Sequence, residues 1–313
     1  MNSHIDMQNI IEYIEKHLHT ELNIDKLSEK AMLSKFYFQR LFYKLVGVTV
    51  MEYVKLRRVA KAAENIKNGE KITDIAFSYG FNSLETFIRA FKSIYEMTPT
   101  QYRKSNIPLA HFYKPDLSLK YRIADIAVPL IAAGIVLEMS IKEITEEIKI
   151  AGVIQECSMA PAGQDNPGVA WNKFFTVKNS ISNIRPGVQF GISFPSKNKG
   201  KFNYLAAAQV EQLTESHHDL YQYTIPAGLY AVCTFSAETF HNLTNDALDK
   251  AFNYFLQTWL PNSNYEMIST FAAEHYDYRC LKDHPLPQQV LTAPDEIIKN
   301  PPEMDIIALV KKK

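Results

Sequence analysis

Phe38-Gln39-Arg40-Leu41-Phe42 recurs 49 residues later as Phe87-Ile88-Arg89-Ala90-Phe91, and the same offset carries Ser34 to Ser83, Thr49 to Thr98 and Tyr53 to Tyr102. A self-match of this kind marks one structural unit used twice. On a helix of 3.6 residues per turn, Phe38, Leu41, Phe42 and Leu45 share one side, with Phe36, Arg40, Tyr43 and Lys44 opposite. The second copy puts Phe87, Ala90, Phe91 and Ile94 on its apolar side and Glu85, Arg89 and Lys92 away from it. Each unit therefore reads as a short helix, a turn, and a second helix whose outer face carries an arginine. That is the form of a helix suited to the major groove of DNA, where a guanidinium makes paired hydrogen bonds to guanine. A helix over 51–66 joins the units, and two such units reach successive major grooves about 34 Å apart. A soluble helical bundle with a charged outer face gives the same pattern, so the repeat alone leaves both readings open.

Around this repeat, residues 5–105 read as short amphipathic helices punctuated at Asn23, Gly47, Asn68-Gly69, Gly80 and Thr98-Pro99. Beyond about residue 140 the periodicity changes to short alternating runs at 148–155, 188–194, 204–210, 229–235, 268–278 and 306–310. Two helical segments, 169–180 and 243–259, fall between them. The order predicts an all-α double helix-turn-helix domain over 1–105, a linker over 106–137 and an α+β domain over 138–313. The last would be built on a duplicated strand-helix-strand-strand unit. A chain of 313 residues suits two domains with cores of their own.

The charge is unevenly spread. Residues 1–105 hold sixteen Lys and Arg against twelve Asp and Glu, an excess of +4 that the remainder cancels with 18 against 22. The first half is thus the candidate for a polyanionic partner. Three scattered cysteines, Cys157, Cys233 and Cys280, lack zinc or disulfide spacing and suit a reducing cytoplasm. The first residues hold no apolar signal core, and the longest apolar stretch, 127–137, is broken by Pro129 and too short to span a bilayer. His217, His218 and His275 lack partners at metal-ligand spacing and read as surface residues; no metal and no cofactor is expected.

Residues 5–105 resemble the AraC/XylS-type DNA-binding domain along their length. The first copy runs from Leu27-Ser28-Glu29-Lys30-Ala31 through Ser34 and Phe38-Gln39-Arg40-Leu41-Phe42 to Gly47 and Tyr53. The second runs from Ile72-Thr73-Asp74-Ile75-Ala76 through Gly80-Phe81-Asn82-Ser83 and Phe87 to Lys92, then Thr98-Pro99-Thr100-Gln101-Tyr102-Arg103. Glu96 departs from the family, which has Gly before the Thr-Pro; this bears on the local turn. The resemblance implies base-reading roles for Phe36, Gln39 and Arg40 in the first unit and for Glu85, Thr86 and Arg89 in the second. Lys35, Ser83 and Lys92 are better placed for phosphates, which set register without specifying sequence.

The second half, from about residue 139 to 312, is similar to GyrI-like effector-binding domains. The matching pieces are Ile144 to Gly152, Tyr223 to Val232, Trp259-Leu260-Pro261-Asn262-Ser263-Asn264-Tyr265-Glu266, Phe271 to Tyr276 and Met304-Asp305-Ile306. Alternation along 268–278 puts Ile268, Thr270, Ala272, Glu274, Tyr276 and Tyr278 on one side of a single strand. A carboxylate among apolar neighbours needs a cationic or hydrogen-bonding partner, or a raised pKa. In the resembling family the matching Glu sits in an aromatic pocket that meets lipophilic, cationic ligands. The ring candidates here are Tyr204, Tyr230, Trp259, Phe271 and Tyr276, each of which also suits an ordinary core.

The whole then reads as a cytoplasmic, one-component, multidrug-sensing type of transcription regulator and not as an enzyme. Its expected partners are double-stranded promoter DNA, a small-molecule effector and RNA polymerase, with no membrane, and it acts as monomer or dimer. Two rivals stand beside it: a Glu-dependent hydrolase of a reactive small molecule, and a regulator whose second half binds a protein.

Overall fold

The computed structural model describes residues 3–119, 122–132, 134–160, 162–213, 220–280 and 301–313, with side chains from Met7 onward. Contacts divide the chain into two units, Met1–Ser118 with Ala160–Asn166, and Leu119–Met159 with Pro167–Lys313. His217 and His218 lie outside the described residues.

The first unit is helical: α1 Ser3–Lys16, α2 Ile24–Lys30, α3 Lys35–Val46, α4 Val50–Lys67, α5 Ile72–Ser78, α6 Leu84–Tyr95 and α7 Pro99–Lys104. The sequence repeat is also a repeat of helix ends. Ser34 caps α3 by accepting from the Tyr37 N–H at 3.3 Å, and Ser83, 49 residues on, caps α6 by accepting from the Thr86 N–H at 3.2 Å. Thr49 caps α4, and Thr98 caps α7 in a reciprocal pairing with Gln101. Gly47 closes α3 in the left-handed region at φ +86°, and Glu96 closes α6 there at φ +58° without glycine's freedom.

Each copy buries its own core. Phe38, Phe42 and Leu45 pack with Met7, Ile10, Ile11, Ile14 and Leu27, whereas Phe87, Phe91 and Tyr95 pack with Ile66, Ile75 and Tyr79. Helix α4 serves both, giving Val50, Tyr53 and Val54 to the first core and Val59, Ala62, Ala63 and Ile66 to the second. Two arginines of α4 fix the joint. Arg57 forks onto Glu15 at 2.8 and 2.9 Å, and the Tyr53 hydroxyl donates to the same carboxylate at 2.7 Å. Arg58 donates to the carbonyls of Leu18 and Thr20 on one side and of Gly80 on the other.

The second unit is a sheet-rich α+β body. Its strands are β1 Leu130–Ala132, β2 Ile135–Ile144, β3 Ile148–Ser158, β4 Ile184–Pro195, β5 Lys201–Val210, β6 Tyr221–Ile225, β7 Gly228–Ser236, β8 Tyr265–Met267, β9 Ala272–Tyr276 and β10 Glu303–Lys312. Helix α8 spans Pro167–Val177, and a helical run over 240–262, here α9, contains π-type turns at Leu243–Ala247 and Phe255–Trp259. The sheet order is β1-β2-β7-β10-β9-β4-β5-β3-β6, antiparallel throughout, with β8 paired to β10.

Alternation sorts the side chains of each strand between two faces. One face carries Ala206, Ala208 and Tyr204 against Phe174 of α8, and Ala272, Tyr276, Ile306 and Ala308 against Phe255 and Trp259 of α9. The other gathers Ile150, Phe190, Ile192, Leu205, Tyr230, Phe271, Ala273 and Ile307. Two expectations are corrected. The run 268–278 is not one strand: β8 and β9 are separated at residues 268–271, where the Ser269 hydroxyl donates to the Phe271 carbonyl at 2.8 Å. Ile268 and Thr270 therefore do not continue the face that carries Glu274. His275, expected at the surface, stacks on Phe190 with ring centres 4.9 Å apart and has Nδ1 3.6 Å from the Asp305 carboxylate.

Candidate functional site

Two groups of residues carry chemistry, one in each unit. On the helical unit, Phe38, Phe42, Phe87 and Phe91 are fully buried, which leaves the opposite faces of α3 and α6 to solvent. Lys35, Phe36, Gln39 and Arg40 are exposed along α3, and Glu85, Thr86, Arg89 and Lys92 along α6. Phe36 is 77% exposed, a large apolar side chain at the start of a helix with nothing to bury it. Lys35 is ion-paired with Asp25, and Ser83 is partly turned inward by its capping bond. The Glu85 carboxyl lies below its ordinary range because its own backbone N–H and the Ser83 hydroxyl bond it, with Arg89 nearby. The outer faces of these two helices of twelve residues each therefore offer donors and acceptors, with Arg40 and Arg89 at equivalent places, and α3 adds the exposed rings of Phe36, Tyr37 and Tyr43.

In the second unit Glu274 lies on β9, 6% exposed. Its Oε2 accepts from the Tyr204 hydroxyl of β5 at 2.5 Å and from the Tyr276 hydroxyl at 2.6 Å. Trp171 of α8 donates its Nε1–H to the Tyr204 oxygen at 2.9 Å and sets its ring 5.0 Å from that of Tyr276. Gly191 on β4 pairs directly with Glu274 across the strands. A Cβ there would lie 2.0 Å from the Tyr204 hydroxyl and 2.6 Å from Glu274 Oε2, so the glycine makes the space in which the three groups meet.

Burial pushes the Glu274 carboxyl up to about 7, against the opposing pull of the two tyrosine hydrogen bonds. Burial and the neighbouring carboxylate push both tyrosines well above their ordinary values, so they remain donors. Glu274 thus sits near the midpoint of its titration at neutral pH, bonded by neutral groups. Among the described residues no cationic side chain is bonded to it.

Of the other ring candidates, Tyr230 turns its hydroxyl to the Pro226 carbonyl at 2.7 Å and packs with Phe271 on the opposite face of the sheet. Trp259 donates to the Ala124 carbonyl at 2.9 Å and stacks on Phe255 within α9. The structure brings Tyr204 and Tyr276 to Glu274 and not these three. Trp171 and Gly191 were not singled out from sequence. An isolated glycine inside a strand is a signal of close approach, but a tryptophan on a helix among apolar residues looks like any core residue.

Among the described residues no group of three or more His, Cys, Asp or Glu is placed to hold a metal ion, and no helix is long and apolar enough to cross a membrane.

Comparison with known proteins assigns both parts. Residues 27–105 match the family described as a helix-turn-helix domain, and residues 137–290 match the GyrI-like small molecule binding domain. The chain is 39% identical over 102 residues to the transposon Tn10 TetD protein of Escherichia coli, which covers 32% of this chain and 74% of TetD. It is 39% identical over 98 residues to the regulatory protein SoxS of Salmonella typhimurium, 31% of this chain and 92% of SoxS. With the transcriptional regulator Rob of the same organism it shares 34% over 124 residues, 39% of this chain but only 42% of Rob. With a paired helix-turn-helix in the first unit and a sheet-borne Glu-Tyr-Tyr group in the second, the chain belongs to the AraC-type DNA-binding transcription regulators that carry a GyrI-like small-molecule-binding domain.

Proposed function

We propose that this regulator responds to a lipophilic, aromatic cation held at Glu274, and that occupancy of this site changes how α3 and α6 engage a promoter. The observation that carries the reading is a carboxylate buried with two neutral donors and no cation bonded to it among the described residues. A buried charge without a counterion is costly, and a flat cation among Trp171, Tyr204 and Tyr276 would supply both the opposite charge and ring contacts. On the DNA side, Phe36, Gln39, Arg40, Glu85, Thr86 and Arg89 take the base edges, and Lys35, Ser83 and Lys92 the phosphates. RNA polymerase is the further partner this role requires.

The effector domain is further read as a duplication. One copy is β3-α8-β4-β5 and the other β7-α9-β9-β10. Their strand orders, β3-β5-β4 and β7-β10-β9, meet back to back at β4 and β9, which supports the reading. Glu274 and Gly191 lie on that seam, so each copy contributes one wall of the site.

The test is titration calorimetry with tetraphenylphosphonium on the wild-type chain and Glu274→Gln. Losing the charge while keeping the shape should weaken binding by about 2 to 5 kcal/mol, a drop of tenfold or more. Equal affinities would defeat the assignment. A second reading rests on the near-neutral carboxyl beside two tyrosine hydroxyls, which also suits a general base and acid in hydrolysis. Product formation by the wild type, lost in the Gln variant, would decide for it.

A further inference from the structure

Residues Ala160–Asn166 leave β3 and return at Pro167 into α8, both parts of the sheet-rich unit, yet they pack with the helical unit. Ala162 joins the core that contains Phe91 and Tyr95 of α6. Gly163 and Ala110 exchange backbone hydrogen bonds at 2.8 and 3.0 Å. The buried Asn166 amide donates to the Pro108 carbonyl at 2.9 Å and to the Gly163 and Gln164 carbonyls at 3.1 Å, which holds the segment in this shape. Gln164 donates to the carboxylate of Glu96, the left-handed residue that ends α6, at 3.0 Å. The preceding residue, Tyr95, has its hydroxyl 2.7 Å from His111 Nδ1. The end of the second DNA-facing helix is therefore gripped by a piece of chain that continues without interruption into α8.

Helix α8 also reaches the effector site. Trp171, one turn beyond Pro167, donates to Tyr204, which donates to Glu274. Because Glu274 is buried, a cation that reaches it must compete with the tyrosine hydroxyls and move the Trp171 ring. A helix moves as a rigid element, so displacing Trp171 shifts the start of α8 and with it Asn166.

We propose that Trp171 is the ligand-reporting residue of the Glu274 site, and that α8 and Ala160–Asn166 pass its displacement to the C-terminal end of α6. The proposal rests on the reading of Glu274 given above. It makes the β3–α8 connection, not the linker alone, the carrier of the effector signal.

Two experiments on the full chain test it, the first without any ligand. Trp171→Phe keeps an aromatic ring, though a smaller one, and removes the bond to Tyr204. Amide hydrogen exchange at Ala110 and Gly163 should accelerate by at least about fivefold in this variant, the low end of ordinary site-to-site coupling. Amides of β5 should keep their protection, and an unchanged rate at Ala110 and Gly163 overturns the route. The second uses a DNA duplex selected by the wild-type chain from random sequence, with and without saturating tetraphenylphosphonium. The probe should change the wild-type Kd for DNA by at least about fivefold. In Gln164→Ala, a change at a half-buried side chain that is not among the residues at Glu274, most of that change should disappear while probe affinity stays at the wild-type value. Full coupling in Gln164→Ala overturns the route. A wild type that fails to bind the probe defeats the cation reading of Glu274, and the exchange experiment then decides the Trp171 link by itself.

Discussion

The two sites of this chain are opposite in physics. The proposed DNA-facing surface is a set of exposed side chains, polar apart from Phe36, on two helices, each held from behind by fully buried phenylalanines. The proposed effector site is a single carboxylate withdrawn from water and met by neutral hydroxyls. A surface that binds a polyanion can remain solvated and charged until its partner arrives, because water stabilises the lone charges meanwhile. A site that binds a lipophilic cation must be dry to favour it over water, and its charge is then unstable when the site is empty. A titrating carboxyl resolves this: Glu274 can take up a proton when there is no cation to balance it.

That contrast is most exposed to pH. The folded value of about 7 lies above the ordinary 4.5, so the folded chain holds this proton more tightly than the unfolded one. The stabilisation is present below about pH 4.5 and is lost as pH rises through 7, by about 3 kcal/mol at 1.36 kcal/mol per unit. Subtracting urea midpoints of Glu274→Gln from those of the wild type between pH 5 and 8 isolates the effect, since the depressed Asp305 titrates at lower pH. Cation affinity should rise with pH, about tenfold per unit below 7, and level off above it. A flat profile in both measurements would make Glu274 an ordinary solvated acid.

A smaller effect is expected at Gly191. Gly191→Ala drives a methyl into the Tyr204 hydroxyl and the Glu274 carboxylate, and overpacking of this kind costs about 1 to 3 kcal/mol. Chemical denaturation should show the loss together with weakened cation binding. Wild-type stability would mean that the three groups are not held as tightly as their distances indicate.

The exposed surface should behave in the reverse way, with binding affected and folding untouched. Arg40→Ala and Arg89→Ala are each expected to cost about 1 to 3 kcal/mol of specific binding and to relax preference at one base position. Lys92→Ala should weaken all sequences alike and flatten the salt dependence. Fluorescence anisotropy on specific and scrambled duplexes at two salt concentrations separates these outcomes, and unchanged curves for both arginine variants would remove α3 and α6 from the groove. Smallest of all, Glu96→Gly relieves the left-handed backbone at the end of α6 and should stabilise the helical unit by at most about 1 kcal/mol in a thermal melt.

The sequence made the first site more legible than the second, and the reason is geometric. Side chains that face away from a helix core are fixed by a period of 3.6 residues, so Arg40 and Arg89 are found from local spacing alone. The Glu274 site is assembled from β5, β9 and α8, and nothing local links Tyr204 or Trp171 to a carboxylate 70 or more residues away. Tyr276 was within reach because it shares a strand face with Glu274, whereas Phe271, named beside it as a ring candidate, stands at an odd spacing from Glu274 and packs on the other side. The bend at 268–271 has no marker in the hydrophobic pattern, which continues through it. The helix caps at Ser34, Ser83, Thr49 and Thr98 were visible as repeat positions, although their capping role appears only with the backbone in place.

Helix α4 has a consequence for what this regulator can evolve to recognise. Its ends are built into separate cores, and Arg58 pins it to backbone carbonyls on both sides. It therefore acts as a ruler of 18 residues. Inserting or deleting one residue would turn the second helix-turn-helix by about 100° about the helix axis and carry α6 out of phase with α3. If α3 and α6 read bases as proposed, substitutions on their outer faces change which bases are read, one position at a time. The interval between the two read segments is set by the length of α4, and drifting promoters must keep that interval or lose one of the two contacts altogether.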